Sequence, residues 1–193
     1  MFDLDNKTIN LVSGSIKNGE IGVLPTDTVY GVVCSAMKKK SVEMVYKLRK
    51  RNLKKPMLIL IGSISDLKLF NVKINNDEKK RLKKLWPGEV SVILKCDSKK
   101  FEYLHRGKKT LGFRLPKNES LIKLVKRSGP IIAPSANFEG EKTAETINEA
   151  KKYFKERIDF YVDVGKLRSA PSTIVVLDKD EPKILRQGAR KLV

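Results

Sequence analysis

The chain has 193 residues, with 41 Lys and Arg against 22 Asp and Glu, one His, two Cys and a formal net charge of +19. That length fits one domain, and 40% hydrophobic residues supply enough apolar material for a core, which excludes a disordered chain. Cys34 and Cys96 stand 62 positions apart, excluding a disulfide scaffold, and the longest apolar run, 57–61, is far short of the roughly 20 residues of a membrane span.

In chain order, the N-terminus MFDLDNKT carries acids where a signal peptide would carry a basic stretch, so a cytoplasmic domain is expected. Residues 8–18 place Ile9, Val12 and Ile16 at helical spacing, and Gly19 ends the helix. Residues 20–24 read as a strand stopped by Pro25. Residues 41–51 read as a helix with Ser41 as N-cap and Val42, Val45 and Leu48 on one face. A buried strand follows over 57–61, then a basic helix over 76–85 that stops before Trp86-Pro87-Gly88. Strands are expected over 90–95 and 110–115, a helix over 121–127 and a short strand over 130–133. The last third repeats the alternation, with a helix over 146–156 and strands over 160–164, 173–177 and 183–186. Short strands between helices predict an α/β (α+β) fold with a mixed sheet flanked by helices, not a purely parallel one.

The common phosphate motifs are absent. There is no GxGxxG, and Gly140-Glu141-Lys142-Thr143 fails as a P-loop because Ser135 stands where its first Gly is required. His105 is the single His and the two Cys are 62 residues apart, which disfavours a His/Cys metal site; in its basic loop His105 reads as a solvated residue, which disfavours a Ser-His-Asp arrangement. Lys outnumbers Arg 31 to 10 and is scattered, so the charge by itself reflects either a genomic bias or attraction to polyanions.

Four clusters carry more. Residues 25–31 (PTDTVYG) put three hydroxyls and an acid directly after a strand, more donors and acceptors than one turn consumes. Lys47, Arg49, Lys50, Arg51, Lys54 and Lys55 run off a helix end into an apolar strand. In the strand at 110–114, alternation puts Thr110, Gly112 and Arg114 on one face, and a mid-strand Arg is costly unless it meets an anion. Residues 131–137 run a buried strand into Pro134-Ser135-Ala136-Asn137, the place where ligands gather in open sheets.

These clusters, in their order with LWPG, the later Ser172-Thr173 and a final LRQG, resemble the YrdC (TsaC-type) family of L-threonylcarbamoyladenylate synthases over residues 8–190. The resemblance implies a single YrdC-like domain over 1–193 with a twisted mixed sheet and a basic concave face. No C-terminal extension domain is expected, since seven residues follow Arg186. It implies a nucleotidyltransferase that converts L-threonine, bicarbonate or CO2, and ATP to threonylcarbamoyl-AMP and pyrophosphate. That reaction begins the t6A modification of tRNA, so downstream t6A transferase proteins become expected partners. The matching positions are Thr28, Arg114, Ala133 and Ser172 for threonine. For ATP they are Arg51, Lys55, Thr110, Ser135, Asn137, Thr143 and Arg186, and Arg49 and Arg51 carry the catalytic positive field. Mg²⁺ would be held mainly by the ATP phosphates, with no protein ligand assigned. Arg49 replaces the usual Lys of K-x-R, Asn52 a common Pro, and Leu60 stands where relatives with a fused C-terminal domain have a His. Two other readings stay open: a double-stranded RNA/rRNA-binding module of the same fold without turnover, with tRNA or double-stranded RNA a possible partner, and a dihydroxybutanone-phosphate synthase, which the scarcity of His disfavours.

Overall fold

A computed structural model describes residues 2–177 and 182–192. The first helix, α1 (Asn6–Asn18), starts where the Asp5 side chain accepts the Thr8 N–H and ends at Gly19, whose φ of +97° is left-handed. It buries Ile9, Val12 and Ile16, the stripe read from the sequence. Strand β1 (Gly22–Pro25) then turns back into β2 (Tyr30–Ser35). The sequence reading contains no counterpart of β2. Buried at every position and paired on both sides, it lacks the polar alternation that marks a half-exposed strand.

Helix α2 (Lys39–Leu48) begins two residues before the expected cap. Ser41 is not the N-cap: its hydroxyl donates to the Gly19 carbonyl at 2.6 Å and ties α2 to the end of α1. The helix also stops at Leu48, so the cations from Arg49 to Lys55 lie on a loop. After β3 (Leu58–Leu60) and a 3-10 turn at Ile64–Phe70 comes α3 (Asn76–Leu85), which holds the predicted bounds. Asn75 and Glu78 form a reciprocal cap at its start. The Trp86–Pro87 peptide after it is cis.

Next come β4 (Val90–Lys95), a short helix α4 (Glu102–His105), β5 (Thr110–Arg114), α5 (Glu119–Ser128) and β6 (Ile131–Ile132). Helix α6 (Ile147–Phe154), capped by Thr146, leads to β7 (Phe160–Tyr161), β8 (Thr173–Leu177) and β9 (Pro182–Arg186). His105 closes α4 and is buried, contrary to its expected solvation. One ring nitrogen lies 3.2 Å from the Ser98 carbonyl, and the other accepts the Gly107 N–H.

The strands form one sheet in the order β7-β1-β2-β6-β3-β5-β4-β8-β9. Three neighbouring pairs, β1/β7, β3/β5 and β4/β8, are parallel and the others antiparallel, which is the mixed sheet expected. Helices α2, α3, α4 and α6 pack their apolar stripes on one face, with Ile59, Phe113, Val92 and Val175 reaching up from the sheet. On the other face α1 and α5 cover Leu24, Val33, Leu60 and Ile131, with Ala133, Phe160 and Val162 packed beside them. Among the described residues no helix packs on the rest of that face, over β3, β5, β4 and β8. That uncovered floor becomes the cleft.

Candidate functional site

The cleft has a volume of about 270 Å³ and is floored by Leu58, Gly112, Ile93 and Ile174. Alternation along β5 does what the sequence predicted. Thr110, Gly112 and Arg114 face the cleft, while Leu111 and Phe113 point into the opposite core.

The turn joining β1 to β2 forms one wall. Thr26 is consumed by the turn, its hydroxyl donating to the Val29 carbonyl at 2.6 Å. Tyr30 points elsewhere, donating to the Gly165 carbonyl at 2.7 Å. Thr28 is the hydroxyl left for the cleft, and it accepts from Arg114 Nη1 at 3.2 Å. Arg114, expected in mid-strand, is the last residue of β5 and is buried, so desolvation disfavours its charge and pushes its pKa down. Asp27 offsets that cost: its Oδ1 lies 2.9 Å from Arg114 Nη2, and its Oδ2 accepts the Lys117 N–H. Arg114 Nε has no hydrogen-bond partner. The sequence reading used Asp27 only as part of the turn motif. The signal that could have found it is the mid-strand Arg itself, which needs a buried acid before any ligand arrives.

Arg49 is also buried. Its Nε donates to the Ser135 carbonyl at 2.8 Å, and its Nη2 reaches Asn137 Oδ1 at 3.1 Å. Burial, with Arg51 nearby, lowers its pKa to about 10, so it stays cationic at neutral pH. Asn137 completes the brace: its Oδ1 takes the Ser135 hydroxyl and its amide donates to the Phe138 and Glu141 carbonyls. Arg51 donates from Nη2 to the Pro56 carbonyl at 2.7 Å and leaves a buried Nε without a hydrogen-bond partner. Across the cleft, Arg186 donates to the Ser172 carbonyl at 2.7 Å, and burial beside Arg114 lowers its pKa too. Ser172 is fixed by a 2.8 Å hydroxyl contact with Ser91, a β4 residue the sequence reading passed over.

Of the predicted site residues, Thr28, Arg49, Arg51, Thr110, Arg114, Ala133, Ser135, Ser172 and Arg186 line this one cleft. Asn137 lies behind Ser135, and Thr143 is not part of the lining. Lys55 is exposed and held outside by Glu139, whose carboxylate takes Lys55 Nζ at 2.6 Å and the Asn52 N–H at 2.5 Å. Those two contacts hold Glu139 below the usual carboxylate pKa.

The LRQG motif has a packing reason. A Cβ on Gly188 would stand 2.1 Å from the Pro171 carbonyl oxygen and 2.5 Å from the Ser172 carbonyl carbon, backbone atoms that cannot rotate away. Gly188→Ala should therefore cost about 1–3 kcal/mol of stability and displace Ser172, measurable by thermal melting.

Among the described residues no three His, Cys, Asp or Glu side chains gather as a metal site, and no helix is long and apolar enough to cross a membrane.

Residues 14–188 match the Sua5/YciO/YrdC family model, described as telomere recombination. A putative threonylcarbamoyl-AMP synthase of Methanocaldococcus jannaschii is 30% identical over 183 residues, 94% of this chain and 86% of that protein. A threonylcarbamoyl-AMP synthase of Pyrococcus abyssi is 28% identical over 186 residues, 95% of this chain but 55% of its own length. The structure of P. abyssi Sua5 complexed with L-threonine superposes with a TM-score of 0.87 at 28% identity, covering 97% of this chain and 56% of that one. E. coli YciO superposes at 0.85 with 25% identity, covering 98% and 93%.

Proposed function

This chain belongs to the Sua5/YciO/YrdC family, and from that premise we propose that it is a threonylcarbamoyl-AMP synthase. It joins L-threonine, bicarbonate or CO2, and ATP into threonylcarbamoyl-AMP and pyrophosphate. The observation that carries the reading is the convergence of nine predicted residues on one cleft whose charged lining is Arg49, Arg51, Arg114 and Arg186 with no acid. Such a lining suits a triphosphate and a carboxylate together.

The chemistry asks for little else. The threonine amine adds CO2 to give a carbamate, and a carbamate oxygen attacks the α-phosphorus while the bond to pyrophosphate breaks. Displacement of this kind depends on positioning and charge neutralisation, and no protein nucleophile is needed. Arg51 and Arg186 flank the phosphates, with Arg49 and Asn137 bracing Ser135 behind them. Thr28, Arg114, Ser172 and the Ala133 backbone take the amino acid. Since the lining offers no carboxylate, Mg²⁺ would be held by the nucleotide's phosphates rather than by side chains of this cleft, and would neutralise part of their charge. The product is an activated carbamoyl donor for the t6A transferase proteins that modify tRNA.

Pyrophosphate release should require threonine and bicarbonate together, because the attacking oxygen exists only when both are present. A coupled pyrophosphate assay with each component omitted in turn checks this. Release that runs equally well without threonine, or never starts with ATP and Mg²⁺ supplied, would falsify the synthase reading and leave a polyanion-binding module.

A further inference from the structure

The four arginines of the cleft are not equivalent. Arg49, Arg51 and Arg186 use their donors on carbonyls and neutral side chains. Among the described residues, Arg114 alone of the four sits in an ion pair, with its side chain and that of Asp27 each 6% exposed. Asp27 approaches from behind. It lines a second cavity of about 420 Å³ that shares Thr26 and Thr28 with the cleft, and Glu89 lies in that cavity as well. The guanidinium thus faces the cleft, while Asp27 and Glu89 stand on its far side in a cavity that Lys117, Lys166 and Arg168 also line, the last two paired with Glu145.

We propose that Asp27 is the specificity-determining residue that sorts the two substrates, reserving the Arg114 end of the cleft for a zwitterionic amino acid and excluding phosphate from it. The proposal rests on the synthase reading for the identity of the amino acid. An unpaired guanidinium in a dry cleft binds any oxyanion with a suitable fork, and a nucleotide brings several of them. With three other arginines nearby, an unneutralised Arg114 would draw phosphate along the whole floor. The buried carboxylate cancels the charge of the guanidinium itself and leaves the pair as a dipole, with the guanidinium toward the cleft and the carboxylate behind it. A zwitterion carries its own carboxylate and ammonium one carbon apart and complements that dipole. A phosphate dianion gains little against a neutral pair and is repelled by Asp27 and Glu89. Asp27 Oδ1 lies 2.9 Å from Nη2 without a hydrogen bond of its own, and the fork is oriented by Nη1 donating to Thr28.

The test uses inorganic phosphate as the probe. Calorimetric titration of the wild-type protein should give one phosphate site, competitive with ATP and not with threonine. Asp27→Asn keeps the size of the side chain and removes its charge. It should open a second phosphate site, make phosphate competitive with threonine, and raise the threonine KM by roughly tenfold, the scale of one pK unit of charge interaction. Asp27→Glu keeps the charge but shifts the fork, so threonine KM should rise while phosphate stays excluded. A merely structural Asp27 would raise KM in both variants without a second phosphate site. The proposal fails if phosphate already competes with threonine in the wild type, or if folded Asp27→Asn binds phosphate as the wild type does. Should Asp27→Asn melt early, both proteins are titrated below its melting temperature, and phosphate that competes with threonine in the wild type overturns the proposal there as well. The phosphate titration needs no turnover, so a chain that failed to use threonine would overturn the synthase reading while the sorting role was still read out.

Discussion

Arg114→Lys should raise the KM for threonine by roughly 10- to 100-fold, the loss expected when a fork to a charged group is reduced to a single ammonium. ATP affinity should change less, by no more than about twofold, because the substitution keeps the positive charge beside Arg186 and leaves Thr110 at the far end of the strand untouched. Thr110 and Arg114 share a face of β5 four residues apart, about 13 Å at ~3.3 Å per residue. Lysine keeps the positive charge beside Asp27, so the buried acid is not stranded and the fold should survive. What lysine cannot do is hold Asp27, Thr28 and an incoming carboxylate at once. Its three donors radiate from one atom, whereas the guanidinium spreads five over a plane. If Arg114 only neutralised Asp27, the substitution would shift the melting temperature and leave both KM values alone. Steady-state kinetics with each substrate varied separates the outcomes. An unchanged threonine KM removes Arg114 from carboxylate binding, and equal losses for both substrates mean that the cleft wall has moved.

The parts of the site written in local pattern were legible in the sequence. A period of two places Thr110, Gly112 and Arg114 on one face whatever surrounds them, and an apolar strand running into Pro134-Ser135-Ala136-Asn137 marks a strand end by composition. Helix α3 was legible to the residue because Asn75 caps it and Trp86-Pro87 stops it. The misses are contacts between distant segments. Asp27 and Arg114 are 87 positions apart, and the sequence shows only that a mid-strand Arg wants an anion, not that the protein supplies one. Ser41 looked like a cap because nothing local reveals the Gly19 carbonyl that takes its hydroxyl. His105 sits among basic residues and reads as solvated, yet a single helical turn folds it inward against Ser98. Strand β2 was lost to its own burial: with no exposed face it has no alternation to detect.

Arg51→Ala should weaken ATP binding by about 1.5–3 kcal/mol, while Lys55→Ala, from the same cationic loop, should cost no more than about 1 kcal/mol. The two differ in what they surrender on meeting a phosphate. Arg51 is already oriented, its N–H bonded to the Tyr46 carbonyl and its Nη2 to the Pro56 carbonyl. Its Nε is buried without a hydrogen-bond partner, so a phosphate oxygen there satisfies a donor whose desolvation has been met in folding. Lys55 has a side chain 57% exposed and an existing partner in Glu139 at 2.6 Å. Moving to a phosphate exchanges one solvated ion pair for another and gains little. Glu139 also bonds the Asn52 N–H, and its own N–H donates to the Arg49 carbonyl, so the loop keeps its shape when Lys55 is removed. Calorimetry with ATP on both variants, alongside melting curves, decides the ranking. Equal losses would mean that the loop contributes only diffuse charge. An unchanged affinity in folded Arg51→Ala would take Arg51 out of the nucleotide site.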